Sequence, residues 1–267
     1  MSDSFDLLQG ENSTSRIQRQ EQIANYVLEH TSVSVKQLVD LFDVSFMTIH
    51  RDLDELEIQG FLRKVRGGAT AQPSNLFESD VRYRLNIALK EKEAIAEQAM
   101  SHIEPGQAVM IDDSTTALVL ARLLPRIVPL TVITYGLAAI RELSKVRGIN
   151  LITLGGEYVP KYDAFVGILC EQAIATLRAN VFFMSAAAVS GNFIFQQEEE
   201  FVKIKRAMLA SASKHVLLCD HTKLGKFALH RLASLQEFDH IIVDSALDDA
   251  QLKALKENHI PVEIAHL

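Results

Sequence analysis

Two groups of residues in this 267-residue chain have side chains suited to recognition chemistry. The first is VSFMTIHRDL, residues 44–53, followed by LEIQGFLRKVRGGA, residues 56–69. Thr48, His50 and Arg51 carry donors and acceptors of the kind that meet base edges. Arg63, Lys64 and Arg66 form a cationic run with no acidic neighbour in sequence, suited to phosphates. The second group is four polar clusters that each follow an apolar run: Asp112-Asp113-Ser114-Thr115-Thr116, Thr134-Tyr135-Gly136, Gly155-Gly156-Glu157-Tyr158, and Asp220 through Lys226. Ser114, Thr115 and Thr116 can offer hydroxyls and helix-start amides to a phosphate, Asp112 or Asp113 can accept from sugar hydroxyls, and Lys223 can meet an anion. Each cluster taken singly fits an ordinary helix N-cap equally well, and Gly155-Gly156 fits a plain turn.

These residues need elements to hold them. Residues 1–14 are polar and aperiodic and read as a loose leader. Ile17, Ile23, Tyr26 and Val27 recur at helical spacing over Arg16–Glu29. Ser34 with Gln37 forms a capping box for a second helix through Leu38, Val39 and Phe42, which breaks at Asp43-Val44. Ser45 is an N-cap for a third helix, with Phe46, Ile49, Leu53 and Leu56 as its apolar stripe and Thr48, His50, Arg51 and Asp52 pointing elsewhere; this helix ends before Gly60. A β-hairpin turning on Gly67-Gly68 follows. The expected division is 15–71 for this module, 72–80 for a linker rich in Pro, Ser and Asn, and 81–267 for a second domain.

In that second domain short apolar runs at 108–112, 131–134, 149–154, 181–187, 216–220, 240–244 and near Val262 alternate with helical patterns such as Lys92–Ile103 and Phe201–Ala212. The alternation predicts an α/β fold with a largely parallel sheet covered on both faces. Ligands of such sheets bind outside the carboxyl ends of the strands, where the polar clusters fall.

Bulk properties narrow the functions. Hydrophobic residues make up 48% of the chain and charged residues 23%, as in globular domains. The net charge of −7 excludes coating of nucleic acid by bulk electrostatics, so any DNA contact must be local. Acidic residues outnumber basic ones even over the first seventy positions, and Asp52, Asp54, Glu55 and Glu57 lie within the third helix, mostly past its first turns. No apolar run approaches the roughly 20 residues that cross a bilayer, and the start is acidic where a signal peptide is basic, which implies a cytoplasmic protein without a membrane partner. Cys170 and Cys219 stand far apart in apolar segments and read as core residues. No G-x-G-x-x-G or P-loop follows a candidate strand, and the nine histidines lack ligand spacing, so neither a cofactor nor a metal is expected. A three-helix interaction module remains a competing reading of the first seventy residues. A pentose-phosphate isomerase using Asp112, Glu200 and Lys223 as acid, base and anion anchor competes for the remainder.

VSFMTIHRDL with LEIQGFLRKVRGGA resembles the winged helix-turn-helix of the DeoR family, whose usual form reads VSxxTIRRDL, then Leu-Glu, Gly, Arg and Gly-Gly-Ala. His50 stands where arginine is typical, replacing a bidentate fork with a single donor. The later order IDDSTT, VITYGL, LGGEY, EEEFVKIKRAM and CDHTKLGK resembles the sensor domain of the same family, with Ser114 in place of a usual glycine. The resemblance spans roughly residues 16–245. It implies a DNA-binding transcriptional repressor without catalytic residues, its sensor sharing an isomerase-like fold. DNA contacts would come from Ser45, Phe46, Thr48, His50, Arg51, Arg63, Lys64 and Arg66. A phosphorylated sugar would be held by Asp112, Asp113, Ser114, Thr115, Thr116, Tyr135, Gly155, Gly156, Glu200, Lys205, Asp220 and Lys223. Thr116, Tyr135, GGEY, the SAAAV run at Ser185 and DHTK are similar to the deoxyribonucleoside-responsive type within the family and point to deoxyribose 5-phosphate. Paired half-sites imply a homo-oligomer.

Overall fold

The computed structural model describes residues 3–59, 61–71, 80–257 and 261–267, with side chains from Arg16 onward. Gly60 itself and residues 72–79 of the expected 72–80 linker lie outside the described residues. The chain divides into two compact units, Met1–Arg84 and Leu85–Leu267.

The first unit begins with helix α1 (Asp3–His30), which takes in most of the segment expected to be a loose leader. Once the amphipathic turns after Arg16 are fixed, adding helical residues at an existing end costs far less than nucleating new ones. Strand β1 (Ser32–Ser34) leads to α2 (Val35–Phe42), whose Ser34–Gln37 capping box is formed on both sides, and Asp43 ends it in the left-handed region at φ 49°. Helix α3 (Phe46–Ile58) starts on the Ser45 N-cap. The hairpin of β2 (Arg63–Val65) and β3 (Gly68–Thr70) turns at Gly67, with φ 79°. Short β1 pairs with β3 to make an unforeseen three-stranded sheet, order β1-β3-β2. Gly68 is required there, because a Cβ on it would lie 2.0 Å from the Val33 carbonyl oxygen. Ile23, Val27, Leu38, Ile49, Leu53, Leu56 and Leu62 form the core of this unit.

Helix α4 (Val81–Asn86) runs across the division in the chain. The second unit then alternates helices and strands. Its first half contains α5 (Leu89–Ala99), β4 (Ala108–Ile111), α6 (Thr115–Leu123), β5 (Leu130–Thr134), α7 (Leu137–Leu143) and β6 (Ile149–Thr153). A hairpin of β7 (Glu157–Val159) and β8 (Ala164–Val166) precedes α8 (Ile168–Ala175). The rest comprises β9 (Ala179–Ser185), β10 (Ala188–Ser190), β11 (Phe193–Gln196), α9 (Glu199–Ser211), β12 (Ala212–Cys219), β13 (His230–Ser234), β14 (His240–Asp244), α10 (Asp249–Lys256) and β15 (Val262–Ala265).

The seven runs expected as strands form one parallel sheet, order β15-β14-β12-β9-β4-β5-β6. Along β9, Val181 and Phe183 face one core with residues of α5, α6 and α7. Phe182 and Met184 face the other, with residues of α8, α9 and α10. Both faces are therefore buried, as the unbroken apolar runs require, and each buried aromatic contributes about 1.5–3 kcal/mol. Cys170 and Cys219 are free and lie within one of these cores. The hairpin β7–β8 and the three-stranded sheet β10-β11-β13 are additions that the sequence reading did not anticipate.

Candidate functional site

In α3 the buried residues are Ile49, Asp52, Leu53 and Leu56. Phe46, expected in the same stripe, is exposed instead, since one turn before Ile49 the helix has already run past the neighbouring core. Asp52, expected to point away, turns inward: its carboxylate accepts from Arg19 Nε at 2.6 Å and from Gln20 Nε2 at 3.1 Å. A buried carboxylate persists only where such donors meet it. Glu55 is bound by Arg16 and Gln20, and Glu57 accepts the backbone N–H of Lys64 at 2.6 Å. Asp54 pairs with the Lys64 ammonium, so the wing lysine has an acidic neighbour in space that its sequence context lacks. The acids of α3 are thus matched by cations and amides from α1 and β2.

Met47, His50 and Arg51 are all exposed, Met47 lying about one turn before the other two, and Phe46 and Ile58 are exposed as well. Arg51 and Arg66 have no acidic partner among the described residues, and Arg66 sits at the exposed hairpin turn. The Ser45 hydroxyl accepts the Thr48 N–H at 3.1 Å and lies 2.9 Å from the Thr48 hydroxyl, so both serve the helix start. Arg63 is half-buried, its Nε without a hydrogen-bond partner among the described residues. The Val35 N–H donates to Gly67 O at 2.9 Å, tying the wing turn to the start of α2.

The second constellation is at the carboxyl ends of the parallel strands. Asp112, 1% exposed after β4, accepts from the Ser114 N–H (3.0 Å), the Ser185 N–H (2.9 Å) and the Lys205 ammonium (2.9 Å). Lys205, from α9, also donates to Ser185 O at 2.9 Å and stands 3.7 Å from Asp113. The Tyr135 hydroxyl donates to Asp113 at 2.6 Å. Burial first, then the Asp113 and Asp112 charges, pushes the Tyr135 phenol well above its ordinary value, so it stays a donor. Ser114 caps α6 by accepting the Ala117 N–H, with Thr115 and Thr116 buried in its first turn. Gly136 lets its chain pass close to Asp113, where a Cβ would sit 3.2 Å from the Asp113 Cα.

The structure therefore brings together Asp112, Asp113, Ser114, Tyr135 and Lys205. Ser185, noticed in the sequence only within an Ala-rich run, belongs with them through its backbone, which no side-chain pattern signals. Gly155 and Gly156 are exposed after β6, and a Cβ on Gly156 would meet Val166 O at 2.2 Å, so this glycine serves the packing of the β7–β8 hairpin. Glu200 is exposed in the first turn of α9. The Asp220 carboxylate caps a short 3-10 turn through the Thr222 N–H at 3.1 Å, and Lys223 in that turn is half-buried. Neither Glu200 nor Lys223 bonds to the Asp112–Lys205 group among the described residues.

His102, His240 and Glu263 offer ligand atoms within 4.8 Å of one another. Lys214 Nζ, 2.8 Å from His102 Nδ1, already supplies positive charge and occupies a ring nitrogen there, so the group is a hydrogen-bonded cluster that does not need a cation. Burial pushes the Cys170 thiol up to about 12, and Cys219 higher still, which removes both as nucleophiles. No helix among the described residues is long and apolar enough to cross a membrane.

Comparison with known proteins decides the family. The DeoR-like helix-turn-helix domain matches residues 19–75, and the DeoR C terminal sensor domain matches residues 87–245. The chain belongs to the DeoR family. It is 34% identical to the regulator YulB of Bacillus subtilis, covering 92% of this chain and 95% of that one. It is 32% identical to the regulator GolR of Listeria innocua (93% and 98% covered) and 32% identical to the L-fucose operon activator of Haemophilus influenzae (91% and 97%). This DeoR-family protein is accordingly a transcriptional regulator and not an enzyme, with a helix-turn-helix ahead of an α/β sensor domain. Ribose 5-phosphate isomerase A of Methanocaldococcus jannaschii matches at 17% identity and a TM-score of 0.36, over 50% of this chain and 53% of that one. At that score its reaction does not carry over.

Proposed function

We propose that this DeoR-family regulator is a cytoplasmic repressor that leaves its operator when a phosphorylated sugar binds outside the strand ends of its second unit. The supporting observation is the buried Asp112–Lys205 pair beside the capped start of α6. Asp113, which accepts from Tyr135, would exchange contacts with the hydroxyls of an entering sugar, while the first-turn amides of α6 favour a phosphate. Lys223 and Glu200 would join from the loop after β12 and from α9. Deoxyribose 5-phosphate is the favoured effector, from the likeness of Thr116, Tyr135 and the DHTK segment to the deoxyribonucleoside operon repressor. The head would span residues 15–71 and the sensor 81–267.

On the DNA side, His50 and Arg51 would meet base edges, and Arg63 and Arg66 phosphates, with Ser45, Phe46, Thr48 and Lys64 around them. Two heads in a homo-oligomer would read paired half-sites. By reciprocity, operator DNA must weaken effector binding by the factor by which effector weakens operator binding, typically about 5- to 150-fold.

Calorimetry of the full-length protein against a panel of sugar phosphates, paired with operator release in gel-shift titrations, tests the sensor half. Heat and release from deoxyribose 5-phosphate are expected; silence from every sugar phosphate would refute the effector assignment. Arg51→Ala and Arg66→Ala should each weaken operator binding, Arg66→Ala also lowering the salt slope by about 1. Unchanged affinity and slope in both would refute the placement of the DNA surface.

A further inference from the structure

The first turn of α3 exposes two large apolar side chains, Met47 at 83% and Phe46 at 55%. Neither contributes to the core of its own unit. Met47 stands three and four residues before His50 and Arg51, which puts all three on one outward stripe. Around this stripe Asp52, Asp54 and Glu55 are paired with cations, Glu57 lies in the helix's last turns away from Met47, and Arg51 and Arg66 lack acidic partners among the described residues. An apolar projection in a locally cationic setting fits a polyanion whose recognition edge carries an apolar group. Duplex DNA has one such group on its base edges, the thymine 5-methyl, which lies in the major groove. The methionine thioether adapts to such a small, shallow contact better than a stiff β-branched side chain.

We infer that Met47, flanked by Phe46, is a specificity-determining residue that reads thymine through its 5-methyl group. This rests on α3 facing the major groove, as proposed above, and names what one position of that surface recognises. Burying one methyl group changes affinity by about fourfold.

The test removes that methyl and nothing else. Full-length protein selects a duplex from a random library, and each thymidine of the winner is then replaced singly by deoxyuridine. One or two replacements should weaken wild-type binding about fourfold, and Met47→Ala should bind the thymidine and deoxyuridine duplexes equally. Met47→Ala should also keep the wild-type melting temperature and the wild-type assembly size in sedimentation. Selection of a duplex that wild type binds equally well with deoxyuridine at every site would overturn the inference while leaving the regulator intact. Failure to select any duplex would overturn both. A smaller assembly for Met47→Ala would assign the patch to a second copy of the chain and equally overturn the thymine contact.

Discussion

The two units handle buried carboxylates in opposite ways. In the head, Asp52 is almost fully buried, yet its partner Arg19 retains 19% side-chain exposure, and Glu55, Asp54 and their cations lie nearer the surface. In the sensor, Asp112 and Lys205 are both sealed, at 0% and 3% side-chain exposure. The head uses partners to set the sign of the charge its surface presents to the outside. The sensor uses an ion pair to hold the end of β4, the end of β9 and the middle of α9 in one arrangement. A partly exposed pair is worth little to folding, whereas losing one member of a sealed pair strands a charge away from water.

The largest expected effect follows from that contrast. Lys205→Met should cost the sensor unit about 3–5 kcal/mol in denaturant unfolding, and adding Asp112→Asn should recover much of it. If the single change cost no more than a surface substitution, the contrast would fail. Arg19→Met should cost the head less, about 1–2 kcal/mol, because Gln20 still donates to Asp52 and water reaches the site. Equal losses in the two units would erase the distinction. Lys64→Gln should leave stability within about 0.5 kcal/mol but weaken operator binding a few-fold by unmasking Asp54, with Asp54→Asn restoring it. No recovery in the double variant would make Lys64 a direct phosphate ligand instead.

The smallest effect concerns His102, which faces Glu263, His240 and Lys214, with Gln98 donating to the same Glu263 carboxylate. Burial holds its pKa below the usual 6.5, with Lys214 and His240 repelling the proton and Glu263 only partly offsetting this. The unfolded chain therefore takes up a proton first as pH falls, so this contribution is present above 6.5 and is lost below it toward the folded value. His102→Gln should flatten the decline in denaturant midpoint between about pH 7.5 and 5. An unchanged profile would assign that decline elsewhere.

Much of the scaffold was legible in the sequence because local chemistry determined it. Ser34 with Gln37 and Ser45 with the Thr48 amide are caps whose partners lie three residues away, and the seven core strands are apolar runs long enough to be buried on both faces. The three-residue strands β1, β7, β8 and β10 carry no period of their own and exist only through their partners. Asp52 was misread because an acid within a helix is ordinarily solvated, and only Arg19 and Gln20, more than thirty residues earlier, turn it inward. The sensor group was partly legible: Asp112, Asp113, Ser114 and Tyr135 stood out by type and position. The role of Ser185 was hidden because it is played by backbone atoms.

Gly68 lies against the Val33 carbonyl with no space for even a methyl group. The root of the wing is thereby locked to the strand ahead of α2, and the Arg66 turn is carried at a set height. A descendant of this chain cannot swing the wing to a new height without dismantling the small sheet. Met47, His50 and Arg51 contribute nothing to that sheet or to the core, so they can be exchanged without unfolding the unit, and on the DNA surface proposed above new operator preferences would be written there.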